Sequence, residues 1–145
     1  MRMVDFEEQA GFRHEECDYL LDQLDQQVQR EEWVLAEASL ERFRRASREH
    51  FDAEEQTLFP AFERTHLADI GSTSLMRAEH RQMLGLMECM SGTLAVHEVP
   101  AYLELSLQLR RLLLQHARKE EFLIEVLRDE AAPPAAGYVA ISPEM

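Results

Sequence analysis

The chain has 145 residues, 46% apolar and 30% charged, with five glycines and five prolines, the make-up of one soluble, helix-rich domain built on a single core. A net charge of −13 excludes a nucleic-acid-binding surface, which needs an excess of lysine and arginine, and disfavours an anionic membrane. No apolar run reaches ~18 residues, the length that crosses a bilayer, and Met1-Arg2-Met3-Val4-Asp5-Phe6 lacks the apolar stretch of a signal peptide, so the expectation is a cytoplasmic protein with no membrane partner.

An irregular arm is expected over residues 1–11, ending at Gly11. From about Phe12 to Arg30, His14, Cys17, Leu21, Leu24 and Val28 step by three and four along one face, which predicts a first helix headed by His14. Gln29-Arg30-Glu31-Glu32 supplies a polar turn. A second helix is expected from about Trp33 to Thr65, with Phe43, Ala46, His50, Glu54, Thr57 and Ala61 inward. Pro60 lacks a backbone donor and either bends this helix or ends it. His66 to Ser74 reads as a loop closing on helix-start residues in Gly71-Ser72-Thr73-Ser74. A third helix carries Met76, His80, Met83, Met87 and Met90, a stripe read as core filling rather than a gas channel. Glu98-Val99-Pro100 opens a fourth, with Leu105, Leu109, Leu112, His116, Glu120, Leu123 and Leu127 inward. From Ala131 the composition turns to Ala-Ala-Pro-Pro-Ala-Ala-Gly, and an extended or disordered tail is expected over 131–145. Residues 12–130 are therefore predicted to form an all-α, antiparallel up-down-up-down four-helix bundle. Cys17 and Cys89 form no C-x-x-C pair and are expected as two buried thiols.

The chain is written twice. His50-x-x-x-Glu54-Glu55 is answered by His116-x-x-x-Glu120-Glu121, and each block follows a lone histidine by 36 residues, from 14 to 50 and from 80 to 116. From 50 to 116 the repeat offset is 66. Residues four apart share a helix face, so each block aims one imidazole and one carboxylate the same way. His14 lies ~23 Å before the first turn and His50 ~27 Å after it, at ~1.5 Å per residue, so the two arrive level. For His80 to meet His116, the third helix must run about 16 residues beyond His80, through Ser91-Gly92, to end near Ala95 to His97.

Six groups then converge at one depth: His14, His50, Glu54, His80, His116 and Glu120. A lone histidine on an apolar face is ordinarily a satisfied core histidine. Two carboxylates on core stripes are different, because each needs a compensating cation. Two carboxylates among four imidazoles suit a pair of metal ions, with iron the first choice and manganese and zinc not separated by residue type. Asp18, four residues after His14, and Tyr19 are further candidates as ligand or orienting partner, weighed against a solvated face of Glu15, Glu16, Asp18 and Asp22. Glu55 and Glu121 are the register alternatives to Glu54 and Glu120, which point better. Arg42, Arg44, Arg45 and Arg48 read as partners of neighbouring glutamates, and His66 and His97 as loop residues away from the ligand level.

The order His14 … His50-x-x-x-Glu54 … His80 … His116-x-x-x-Glu120 resembles the hemerythrin-like, HHE cation-binding family, whose E-E-x-x-L-F-P run is matched by Glu54 to Pro60. The resemblance covers roughly residues 12–129. It implies a four-helix bundle holding a non-haem, oxo- or hydroxo-bridged pair of iron ions, with dioxygen or nitric oxide as small diatomic partner. Ferritin-like proteins differ in using E-x-x-H and more carboxylates than histidines. Oxygen-carrying hemerythrins have H-x-x-x-H on the third helix, where Leu84 stands here, and H-x-x-x-x-D at the end, where this chain has Glu120. One imidazole fewer leaves an additional open position. The six-ligand pattern is closer to iron-centre repair proteins and to hemerythrin-like proteins of nitric oxide or peroxide handling, though without the repair proteins' additional cysteine-bearing domain. Three classes remain: a di-iron protein that binds or senses a diatomic gas, a di-iron redox enzyme or iron donor in stress defence with a redox or iron-acceptor partner, and a metal-free interaction module. No catalytic group is assigned beyond the ligands.

Overall fold

The computed structural model describes residues 14–65 and 70–131; the expected arm, His66 and the tail beyond residue 131 lie outside the described residues. The helices are α1 (His14–Gln29), α2 (Trp33–Ala53), a π-helical turn (Glu54–Leu58), α3 (Phe59–Glu63), α4 (Ile70–Ala95) and α5 (Val99–Ala131), with no strand among the described residues. α2, the π turn and α3 succeed one another without leaving helical backbone. α1 packs on α2 and α5, and α4 packs on the same two, which closes an antiparallel four-helix bundle.

Two apolar clusters make the core. Leu21, Leu24 and Val28 of α1 meet Leu40 and Phe43 of α2 and Met83, Met87 and Met90 of α4 in the larger one. Leu58, Phe59, Phe62, Met76, Leu123 and Val126 form the smaller. His50, Glu54, His80, His116 and Glu120 fall between these clusters along their helices and are buried. Away from that layer, Asp25 accepts hydrogen bonds from Tyr102 (2.8 Å), Ser106 (2.9 Å) and Arg110 (3.0 Å), fastening α1 to α5. Burial beside the Asp25 carboxylate holds the Tyr102 phenol in its neutral form. Arg44 and Arg45 pair with Glu41 on their own helix, as expected.

Both helical hairpins turn in the same way. Glu31 and His97 have φ of 58°, and their N–H groups bond back to Val28 and Leu94 while Glu32 and Glu98 bond to Gln27 and Thr93. These paired bonds satisfy the last carbonyls of α1 and α4. Trp33 and His97 stack in parallel, with centroids 4.3 Å apart, and join the two turns at one end of the bundle.

Length matching overrides local propensity in α4, which continues through Ser91 and Gly92 and ends at Ala95. Three expectations are corrected. Gly71 to Ser74 is helix rather than loop: Thr73 is buried, and its hydroxyl and the Arg77 guanidinium both bond Glu63, tying the start of α4 to α3. Of the two alternatives at Pro60, the second helix takes continuation, its helical backbone running on through α3 to Glu63. Irregularity is taken up just before Pro60, in the wide turn where Phe59 N–H reaches Glu54 O, five residues back, and Thr57 Oγ1 donates to Ala53 O. An extra residue in a turn rotates the succeeding helix by about 100°, so Leu58 and Phe62 are buried where Thr57 and Ala61 were expected. On the preceding turns Ser47, not Ala46, completes the inward stripe.

Candidate metal centre

Glu54 sits where α2 gives way to the π turn, and its two oxygens face different ways. Oε1 lies 2.7 Å from His80 Nε2 and 3.1 Å from His116 Nε2, and those two nitrogens are 3.1 Å apart. Oε2 lies 3.4 Å from His50 Nε2, which is in turn 3.5 Å from Glu120 Oε2. Two groups of donors capable of holding a metal ion result, Glu54/His80/His116 and His50/Glu54/Glu120, and Glu54 belongs to both.

Hydrogen bonds on the far side of the rings decide what these donors are. His80 Nδ1 lies 2.7 Å from Glu55 Oε2, and His116 Nδ1 lies 3.0 Å from Glu79 Oε1, which is also paired with the Lys119 ammonium. A carboxylate there is an acceptor, so each Nδ1 donates to it and each ring turns its Nε2 inward toward Glu54. His80 Nε2, His116 Nε2 and Glu54 Oε1 thus lie within 3.1 Å of one another. Only a proton or a metal cation between them makes that arrangement favourable. Glu54 Oε2 is buried, and among the described residues His50 Nε2 approaches it only at 3.4 Å. For metal–ligand lengths of about 2.1 Å, neighbouring donors of an octahedron are about 3.0 Å apart and those of a tetrahedron about 3.4 Å. The Glu54/His80/His116 donors, 2.7 to 3.1 Å apart, are within the spacing that ligands of one ion have, so the residues fit a bound cation.

The electrostatics agree. Burial works against the Glu54 carboxylate, but hydrogen bonds from His116, His50 and His80 hold it well below the usual range. Glu120 is pushed up to about 7 by burial, with the charge of Glu54 adding to it, although its bond to His50 pulls the other way. Burial opposes a charged His50, yet hydrogen bonds to Glu120 and Glu54 raise it to about 10. Both carboxylates are relieved by positive charge placed between them. Aromatic rings line the layer: His80 stacks on Phe51 (centroids 4.2 Å) and on Phe59 (5.5 Å).

Of the six residues expected at one depth, five converge: His50, Glu54, His80, His116 and Glu120. His14 opens α1, and its side chain lies outside the described residues. Asp18 and Tyr19 do not join either group; both are exposed, and the Tyr19 hydroxyl accepts from Gln23 at 2.8 Å. Cys17 is buried instead, and its thiol is pushed up by burial and by the charges of Asp18 and Glu120, whereas Cys89, expected buried, is exposed on α4. His97 packs on Trp33, away from the layer. Glu54 and not Glu55 is the inward member of its pair, but Glu55 has a part of its own on His80, and Glu79 does the same for His116. Neither part is visible from spacing within one helix; the signal was a second carboxylate adjoining a ligand in sequence.

A helical bundle with a buried middle layer of histidine and glutamate defines a cation-binding domain. The model of the hemerythrin HHE cation-binding domain matches residues 12–126, and the chain belongs to that family. No curated protein and no solved structure matches it. Among the described residues, no helix is long and apolar enough to cross a membrane.

Proposed function

We propose that the chain holds two iron ions, a non-haem pair, through His14, His50, Glu54, His80, His116 and Glu120, and uses them to bind or sense a small diatomic molecule, dioxygen or nitric oxide. The observation that carries this reading is Glu54, whose two oxygens belong to two donor groups at once. Iron is favoured because two imidazoles and one carboxylate would leave further positions open on an ion, the donor set of non-haem iron(II) sites. When bound, such a pair supplies redox activity and positions for an incoming ligand. Glu54 would hold an ion through each of its oxygens, Glu55 and Glu79 would fix the rings of His80 and His116, and Phe51 and Phe59 would cover His80 with apolar surface. Free Cys17 and Cys89 fit a reducing, cytoplasmic setting.

Leu84, packed against the core at the fourth position after His80, favours a second reading. With no further imidazole there, the centre suits turnover of peroxide or nitric oxide, or iron donation to a cluster-repair partner. Metal analysis of anaerobically purified protein, joined to absorption spectra with and without each gas, separates the readings. About two irons per chain and a reversible spectral change support binding or sensing. Sustained consumption of peroxide or nitric oxide, or iron transfer to an apo-cluster protein, supports the second. Protein without stoichiometric metal, indifferent to His50→Ala, would sink both and leave an interaction module.

A further inference from the structure

Ser47 lies on the buried face of α2, three residues before His50, so one helical turn, ~4.5 Å along the axis, separates it from the donor layer. Its hydroxyl is buried and has no hydrogen-bond partner among the described residues. The other buried hydroxyls among them are engaged: Tyr102 and Ser106 donate to Asp25, and Thr73 donates to Glu63. Half-buried Thr57 and Thr93 donate to carbonyls of their own helices, a bond that Ser47 does not make. Packing does not ask for a hydroxyl here. Phe43 and Phe51, one turn to either side, belong to the larger apolar cluster, and at the repeat offset of 66 Ser47 corresponds to Leu113, an apolar residue packed on the same cluster. The next polar residues along the buried face are the cation donors His50 and Glu54. A buried hydroxyl left without a partner costs free energy that an acceptor arriving beside it recovers.

We infer that Ser47 is a ligand-binding residue of the centre: its hydroxyl donates a hydrogen bond to the small diatomic molecule held there, which supplies the acceptor that the fold leaves out. This rests on the binding or sensing reading proposed above. A donor set in place beforehand, in an apolar surround, acts where charge gathers on an incoming molecule without any rearrangement of the protein. Dioxygen and nitric oxide both gain electron density at the outer atom when iron(II) binds them, so both suit a hydroxyl one turn from the donor layer.

The test compares the full chain as wild type, Ser47→Ala and Ser47→Thr, each loaded anaerobically with iron(II) and given nitric oxide. The N–O stretching frequency is read by infrared in ordinary and deuterated water, and the release rate by absorption after a nitric oxide trap is added. Wild type should show a frequency difference between the two solvents. Ser47→Ala should lose that difference, release nitric oxide about tenfold faster and keep its iron, while Ser47→Thr, which retains a hydroxyl, should recover most of both. In the metal-free chain, urea should unfold Ser47→Ala at the same concentration as wild type or a higher one, because the group removed bonds nothing in the fold. The inference is overturned by wild type with no solvent difference, by Ser47→Ala with wild-type release or less iron, or by a metal-free Ser47→Ala that is less stable than wild type. The wild-type solvent difference alone decides the matter should a variant fail to fold. Wild type that takes up no iron, or whose spectrum nitric oxide leaves unmoved, would instead overturn the binding reading itself.

Discussion

Glu31 and His97, 66 positions apart, carry the same left-handed backbone conformation, with φ of 58° at both. Each is the residue that closes its helix, and neither is glycine. An L side chain in this region costs roughly 1 kcal/mol. Glu31→Gly is therefore expected to stabilise the fold by about 0.5–1 kcal/mol in chemical denaturation. His97→Gly should gain much less, because the stack on Trp33 is lost with the ring. A destabilising Glu31→Gly would contradict this account of the turn.

Gly92 lies in the interior of α4 on an exposed face, and a Cβ added there meets nothing within 4 Å. Alanine lowers the entropy cost of the helix without touching a neighbour. Gly92→Ala should raise the unfolding free energy by about 0.5–1 kcal/mol with cation content unchanged. The midpoint of a urea transition reads the first, and metal analysis the second.

Glu54 is shared by the two donor groups, whereas Glu120 belongs to one. On the two-ion reading proposed above, Glu54→Ala is expected to strip both ions, and Glu120→Ala to leave one. Metal-to-protein ratios after gel filtration distinguish these outcomes; equal losses from the two variants would remove Glu54 from its bridging place.

Glu63 accepts from the Arg77 guanidinium (2.8 Å) and the Thr73 hydroxyl (2.6 Å), and these contacts lower its pKa below 4.5. A carboxyl held lower in the folded state binds its proton more weakly there than in the unfolded chain. Its contribution is complete above 4.5 and is lost as pH falls through the folded value. Glu63→Gln should cost less than ~1 kcal/mol at neutral pH, since the pair is partly solvated, and should flatten the acid limb of stability against pH. An unaltered acid limb would show that this contact is not linked to protonation.

The order of apolar and ligand residues along each helix determined a great deal. Steps of three and four placed His50 with Glu54 and His116 with Glu120, and equal helix lengths required α4 to pass through Ser91 and Gly92, because a covalent chain fixes rise and rotation per residue. Tertiary structure decided the rest. The π turn chose Leu58 and Phe62 for the core, since one added residue rotates a face by about 100°. Glu55 on His80, Glu79 on His116 and Asp25 on Tyr102 are contacts between helices. They depend on how far each rod is turned and slid against its neighbour, and no spacing within a single helix carries that information.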